Sequence, residues 1–288
     1  MKSLYDSVCM TCSQITTKRY STSFSLGIRL LHPDIRPAIY AIYGFVRFAD
    51  EIVDTFHDFD KAKLLARFKV ETYRSIEEGI SLNPILQSFQ DTVNRYNIDH
   101  ELIESFFKSM EMDLSKNGHD KHSYDEYIVG SAEVVGLMCL YVFVNGDQAQ
   151  YVALKPAAQR LGAAFQKVNF LRDLNHDMKV LDRVYFPELQ ENEWTIATKQ
   201  VIESDIQQDF EVALTGIKKL PKSSRFGVYL AYKYYQCLFN KIRSLPPEKV
   251  LDKRIRINNT RKLGIMVKSY ILMNFGRPWS VSSYSRSA

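Results

Sequence analysis

Two pairs of aspartates constrain this chain more than any other feature. Asp50 and Asp54 lie in the run Asp50-Glu51-Ile52-Val53-Asp54, and Asp173 and Asp177 in Asp173-Leu174-Asn175-His176-Asp177. Both pairs have i, i+4 spacing in segments with helical periodicity, so each sets its carboxylates on one face, one turn apart. Like charges so placed cost an isolated helix roughly 0.2–0.5 kcal/mol. The surroundings raise the stakes, because Phe45, Val46, Phe48 and Ala49 make the first helix apolar. Buried charges need partners. A fold that keeps two such pairs is expected to place something positive between them. Mg²⁺ suits the role, being a hard cation that takes carboxylate and phosphate oxygens and keeps several waters.

The rest of the chain reads as helix. Only 12 Gly and 9 Pro occur in 288 residues, which disfavours a turn-rich β fold, and 45% hydrophobic residues supply a globular core. Residues 34–55 open with Asp34 as N-cap and Pro37 in the first turn. Residues 62–79, 84–96 and 99–114 carry amphipathic stripes, the last through Leu102, Ile103, Phe106, Phe107 and Met110. Residues 123–145 are apolar nearly all round and predict a central buried helix. Helix continues over 150–178, and Lys179 to Pro187 reads as a loop. Ser204-Asp205-Ile206-Gln207 resembles a capping box opening a helix to about Leu220. Pro221-Lys222-Ser223-Ser224 reads as a turn, followed by helices over 226–244 and 262–274. No run of alternating strands appears. One all-α domain over residues 1–277, with a disordered tail from 278 to 288, is the economical reading.

The second acidic block extends into a polar stripe. Gln166, Asn169, Asp173 and Asp177 follow one another at intervals of three, four and four, where a packed helix would place Leu or Val. Amide and acid oxygens in that order suit a metal and its waters, and Arg172 is available for phosphate. In the first block Arg47 shares the face of Asp50. It reads either as a surface ion pair or as the partner of a buried carboxylate.

Other features exclude more than they assign. Lys241 to Lys262 holds eight basic residues against Glu248 and Asp252, but no nucleic-acid-binding module accompanies them, so no nucleic acid is expected. The run reads as a solvated basic face or as a surface for phosphates or membrane headgroups. Cys9 and Cys12 form a C-x-x-C without a second pair or a nearby His, and read as incidental. Met1 to Met10 lacks a signal-peptide pattern, and Val134 to Val144 is too short to span a bilayer. The expected location is the cytoplasm, with peripheral contact at the inner membrane face. No oligomeric state is set by the sequence.

Taken together, the fragments resemble the squalene and phytoene synthase family, the head-to-head trans-isoprenyl diphosphate synthases, and most of all its bacterial phytoene-forming members. The match covers roughly residues 15–275. It rests on Ser21, Ser23 and Phe24; Tyr43, Arg47, Asp50 and Asp54; Met112-Asp113-Leu114; Val135-Gly136; Gln166, Asn169, Arg172, Asp173 and Asp177; and Arg183-Val184-Tyr185-Phe186-Pro187. The resemblance implies a single helical bundle around a central cavity with the aspartate motifs facing each other at its mouth. It implies Mg²⁺, with Mn²⁺ an acceptable substitute, held by Asp50, Asp54, Asn169, Asp173 and Asp177. It implies prenyl diphosphate substrates held by Ser21, Ser23, Phe24, Arg47, Gln166, Asn169, Arg172, Tyr185 and Tyr235. Catalytic roles fall to Asp50, Asp54, Asp173, Asp177 and Tyr43.

The expected reaction joins two geranylgeranyl diphosphates into phytoene through a cyclopropyl-carbinyl diphosphate. Loss of one allylic diphosphate gives a carbocation that the second substrate's double bond attacks. Such a cation requires a dry cavity and gains roughly 0.5–2 kcal/mol from an aromatic face. The chain's 17 Tyr and 17 Phe supply candidates. Farnesyl diphosphate, giving squalene or dehydrosqualene, is the alternative substrate. A non-catalytic assembly or lipid-binding protein on the same scaffold is the alternative class, disfavoured because both acidic pairs are intact. NADPH is not expected, as no G-x-G-x-x-G fingerprint occurs. Two positions depart from the family pattern. Leu174-Asn175-His176 stands where Val-Gly-Glu is common, with His176 expected off the carboxylate face. Glu133 replaces a small residue, and reads as lining the cavity mouth or pairing with a basic side chain.

Overall fold

The computed structural model describes residues 1–115, 120–179, 183–191, 193–252 and 254–275. They form an all-α bundle, with no strand among the described residues. In chain order the helices are α1 (Lys2–Tyr20), α2 (Thr22–Arg29), α3 (Arg36–Asp54), α4 (Lys61–Glu78), α5 (Pro84–Tyr96), α6 (His100–Ser115), α7 (Lys121–Ile128), α8 (Val134–Val144), α9 (Gln148–Lys179), α10 (Glu188–Glu191), α11 (Ile196–Ile217), α12 (Lys222–Arg243), α13 (Pro247–Val250) and α14 (Asn259–Phe275).

The predicted central helix is the axis of the bundle, but it is not one regular helix. A π-helical turn, Val129–Glu133, joins α7 to α8. The extra residue in that turn shifts the register between the two halves. Together they make a 24-residue run long and apolar enough to cross a membrane, yet most of its apolar window is buried inside the bundle. Leu137, Met138, Leu140 and Val142 are at most 2% exposed, which makes this a core helix. α3 packs on one side of it and α9 on another.

Close backbone approach explains Gly130 within the π turn and Gly162 beside it. A Cβ on Gly130 would lie 2.6 Å from the Ser105 carbonyl oxygen on α6, and one on Gly162 of α9 would run into the Ala132 carbonyl. The π turn is thus gripped from both sides. Behind it, Phe45 stacks on Phe89 at 3.8 Å and edges against Phe107, tying α3 to α5 and α6.

A buried ion network crosses the back of α9. Glu133 pairs with Arg160 at 3.2 Å and accepts from Gln159 at 2.9 Å, while Arg160 reaches Asp209 at 3.3 Å. Lys167 bridges Asp209 at 2.7 Å and Asp205 at 2.5 Å. Glu133 therefore takes the second of its two expected roles. It pairs with a basic side chain, and it does not line the cavity mouth.

Several sequence expectations shift at element ends. Asp34 does not cap α3; Ile35 occupies that place without a side-chain cap, and Pro37 sits in the first turn as expected. Ser204 opens no helix, because α11 begins eight residues earlier, with Thr195 accepting from the Thr198 amide as its cap. Ser223 and Ser224 are already helical in α12. α1 and α2 have no counterpart in the sequence reading, since α1 shows little apolar periodicity. Residues 180–182 of the expected loop, and the expected tail 278–288, lie outside the described residues. Cys9 and Cys12 are free thiols one turn apart on α1.

The close approach at Gly162 is open to test. Gly162→Ala is expected to cost about 1–3 kcal/mol in urea unfolding through overpacking. Gly79→Ala, at φ 67° with no atom within 4 Å of the added carbon, is expected to cost only about 1 kcal/mol. Equal costs at the two positions would contradict the packing at the π turn.

Candidate active site

α3 presents Tyr43, Arg47, Asp50 and Asp54 on one face, as their spacing requires. Arg47 contacts Glu51, lies 3.8 Å from Asp50 and stacks 4.3 Å over the Tyr20 ring. Its Nε is buried without a hydrogen-bond partner. Asp50 keeps a third of its side-chain surface accessible. Nevertheless burial, reinforced by the charge of Asp54, pushes its pKa up to about 7. Asp50 is thus partly accessible while crowded by protein and by a second carboxylate.

α9 presents the facing set. Asn169 donates to Gln166 at 3.4 Å and accepts from the Tyr235 hydroxyl at 3.2 Å. Asp173 is gripped by two guanidinium groups. Arg172 reaches it at 3.0 and 2.5 Å, and Arg254, from the loop before α14, at 2.7 and 3.2 Å. Asp177 is buried, and burial followed by repulsion from Asp173 and Asp54 raises it to about 7. His176 points off this face and is exposed, as expected. With Arg172, Asp173, Asn175, Lys179 and Arg254 it lines an outer cleft of about 220 Å³.

The segment after α9 joins the two faces. Arg183 donates to Asp54 at 3.0 Å and to the Asp113 carbonyl at 3.0 Å, and its backbone amide donates to the Asp177 carbonyl at 2.9 Å. Asp113, at the end of α6, is the buried hub beneath. It accepts from the Tyr127 hydroxyl at 2.8 Å and from Tyr185 at 3.4 Å, and burial raises it to about 7. The two aspartate pairs therefore converge. Asp54 is close enough to raise the pKa of Asp50, Asp113 and Asp177.

Aromatic rings cluster beside the two acidic faces. Phe165 stacks on Tyr235 at 3.9 Å, and Phe24 lies 5.8 Å from both Tyr235 and Tyr43. On α8, Val135 and Cys139 are mostly but not fully buried. Burial pushes the Cys139 thiol up to about 12, so it acts as an apolar wall group.

Most sequence-predicted residues meet here, with two reassigned by their contacts. Ser21 caps α2, accepting from the Phe24 amide at 3.2 Å, and Ser23 is half-exposed in the first turn of that helix. Tyr185 is buried, stacked on Phe170 at 4.1 Å, and supports Asp113. Sequence reasoning assigned no site role to Asp113, Tyr127, Arg183, Phe165 or Arg254. Asp113 and Arg183 lay within quoted motifs, and Arg254 within the basic run. Only their three-dimensional contacts reveal what they do.

The donor chemistry fits a divalent cation. Asp50, Glu51, Asp54, Asp113, Asp173 and Asp177 outnumber Arg47, Arg172, Arg183 and Arg254, and burial first, then neighbouring carboxylates, raises Asp50, Asp113 and Asp177. Among the described residues no group of three or more acidic, His or Cys side chains closes as a ready metal cage. Mg²⁺ needs none, since it binds through one or two carboxylates together with phosphates and water.

An all-α bundle whose two aspartate-bearing helices are joined through Arg183, with aromatic rings beside them, has the isoprenoid-synthase class of fold. The squalene/phytoene synthase family model matches residues 17–261, and the chain belongs to that family. The chloroplastic phytoene synthase of Narcissus pseudonarcissus is 26% identical over 94% of this chain and 66% of its own length. Phytoene synthase 1 of Solanum lycopersicum is 27% identical over 88% of this chain and 65% of its own. The chain thus spans just under two thirds of the length of these relatives. Among solved structures, a dehydrosqualene synthase in complex with a ligand matches with a TM-score of 0.80 at 18% identity, covering 93% of this chain and 98% of the other. Squalene synthase HpnC from Alicyclobacillus acidocaldarius matches at 0.72 and 19%, covering 86% and 95%. These likenesses are of fold.

The raised carboxylates carry a stability prediction. Folded and metal-free, Asp177 holds its proton up to about pH 7. Unfolded, it releases it near its ordinary value of about 4. The native state binds the extra proton across that interval, so the contribution of Asp177 to stability falls as pH rises through it. Asp177→Asn cannot ionise. Its Tm in EDTA is expected to exceed wild type by a margin that grows from about pH 4 to about pH 7 and then levels off. A Tm below wild type at neutral pH, read by scanning calorimetry, would contradict the crowding of like charges.

Proposed function

We propose that the protein is a prenyltransferase that joins two geranylgeranyl diphosphates head to head to form phytoene, as a step of carotenoid biosynthesis. One observation carries this reading: the aspartate pairs of α3 and α9 face each other, with Arg183 hydrogen-bonded to Asp54 and to the backbone of Asp177. The sequence relatives that are phytoene synthases support the twenty-carbon donor.

Asp50, Asp54, Asp173 and Asp177, with the Asn169 amide oxygen, are the residues that would hold Mg²⁺ or Mn²⁺. Bound there, the cation would neutralise the diphosphate's charge and make it a competent leaving group. The chain's own groups do the rest. Arg47, Arg172 and Arg254 supply guanidinium forks for the diphosphate oxygens. Arg172 and Arg254 rest on Asp173, so a diphosphate would meet guanidinium groups already in place.

Tyr43, Phe24, Phe165 and Tyr235 flank the position where the allylic chain leaves the acidic mouth. Their faces stabilise developing positive charge by roughly 0.5–2 kcal/mol per contact. Burial holds the Tyr43 hydroxyl well above its ordinary pKa, so it stays protonated beside the reacting chain. The apolar wall at Val135 and Cys139 keeps water from the cation. No reductant is required for phytoene.

Asp50→Ala and Asp173→Ala are each expected to lower turnover at least about a thousandfold with circular dichroism unchanged, because each removes an oxygen ligand and a charge from the mouth. Normal product yield from either would contradict the assignment. EDTA is expected to stop diphosphate release and Mg²⁺ to restore it. Mass spectrometry of the hydrocarbon formed from geranylgeranyl and from farnesyl diphosphate tests the substrate. Phytoene from the former supports the proposal, and product from farnesyl diphosphate alone replaces it with squalene or dehydrosqualene formation. Lack of any diphosphate release from either donor would leave a non-catalytic lipid-binding protein.

A further inference from the structure

Part of the basic run Lys241–Lys262, which charge alone offers as a membrane-facing surface, is engaged within the fold. Arg254 pairs with Asp173 at 2.7 Å, Lys249 with Asp252 at 3.2 Å, and Lys241 donates to the Arg256 carbonyl at 2.7 Å. A different surface begins at the end of this run, on α14. That helix packs on α12 through Ser269, which is buried, and through half-buried Lys262, Ile265 and Met266. The Tyr234 hydroxyl fixes it, donating to the Lys262 carbonyl at 3.0 Å.

The opposite face is apolar. Leu263, Val267 and Ile271 follow at i, i+4 and i+8 and are 56%, 49% and 52% exposed. Gly264 and Thr260 continue the same face as the floor of an open groove. A surface helix ordinarily turns its apolar stripe toward the core. α14 turns one outward, flanked by exposed Arg261 and Lys268. No acidic residue occurs after Asp252, while the 36 residues that follow contain eight Lys and Arg.

We propose that the outward face of α14 docks on an anionic lipid bilayer, with Leu263, Val267 and Ile271 at the acyl boundary and Arg261 and Lys268 among the headgroup phosphates. Charge selects this occupant. A second copy docked through the same face would set basic residues against basic residues. Residues 276–288 of this chain add Arg277 and Arg286 and no acid, so they bring no neutralising charge to the stripe. Only the benefit of docking, access to oily donors and product, rests on the proposed reaction.

The test is co-sedimentation of the full chain, without substrate, with vesicles of phosphatidylcholine alone and of equal parts phosphatidylcholine and phosphatidylglycerol. Wild type is expected to bind the anionic vesicles and to bind the neutral ones far more weakly. The triple variant Leu263→Gln, Val267→Gln, Ile271→Gln is expected to lose at least about tenfold in affinity with helicity unchanged. The double variant Arg261→Gln, Lys268→Gln, which leaves the apolar stripe intact, is expected to weaken anionic binding and flatten its salt dependence. A chain ending at Phe275 is expected to bind as the full chain does.

Wild type that ignores both vesicles would overturn the proposal, as would substituted chains that bind like wild type. So would a lipid-free dimer that the triple variant dissociates, which identifies a second copy as the occupant. Binding that appears only after truncation identifies the chain's own C-terminal segment instead. Because no substrate is present, none of these results depends on the proposed reaction.

Discussion

Carboxylates forced together inside a protein must be neutralised, and the organisation of this molecule follows from how that is done. Asp50, Asp113 and Asp177 each lie within electrostatic reach of Asp54, and burial helps push all three up to about 7. Arg183 is the stitch. One guanidinium and one backbone amide tie Asp54 on α3, Asp113 on α6 and Asp177 on α9 to the same short segment. Arg172 and Arg254 do for Asp173 what Arg183 does for Asp54. Negative charge remains in excess, so the arrangement is poised for a cation. The arginines moderate the repulsion without filling the site.

The rest of the bundle serves that arrangement. α3 and α9 are held apart by α8, whose apolar faces support both. The π turn and Gly162 beside it set the depth at which α9 docks. On the far side of α9, Glu133, Arg160, Lys167 and Asp209 form an ion network in which opposite charges meet at hydrogen-bonding distance. The contrast across one helix is informative. Behind α9 charges are paired and satisfied, as a structural role requires. In front they are crowded, half-accessible and partly unpartnered, as a binding role requires.

The fold class was legible because the apolar periodicity of α3, α5 and α6 is strong and glycine and proline are scarce. The acidic pairs were legible because carboxylates at i, i+4 in apolar helices have no packing explanation. Other parts depend on contacts between segments distant in sequence. Arg183 and Asp113 are 70 residues apart, and nothing local to either announces their hydrogen bond. Arg254 reads as one more charge in a basic run until it is seen on Asp173. The π turn leaves no periodicity signal, because its neighbours are apolar on every face. Ser204 carried a cap-like pattern inside α11, where Thr195 had already started the helix. A local hydroxyl pattern is a weaker determinant there than the packing of the whole helix against α9.

The central claim is that the two aspartate pairs act as one site for a divalent cation and a diphosphate together. Titration calorimetry with inorganic diphosphate, with and without Mg²⁺, addresses it without turnover. The account predicts tight binding only when both are present, lost in Asp54→Asn and in Asp177→Asn alike, although these residues lie on separate helices. Equal binding without Mg²⁺, or loss in only one of the two variants, would contradict it.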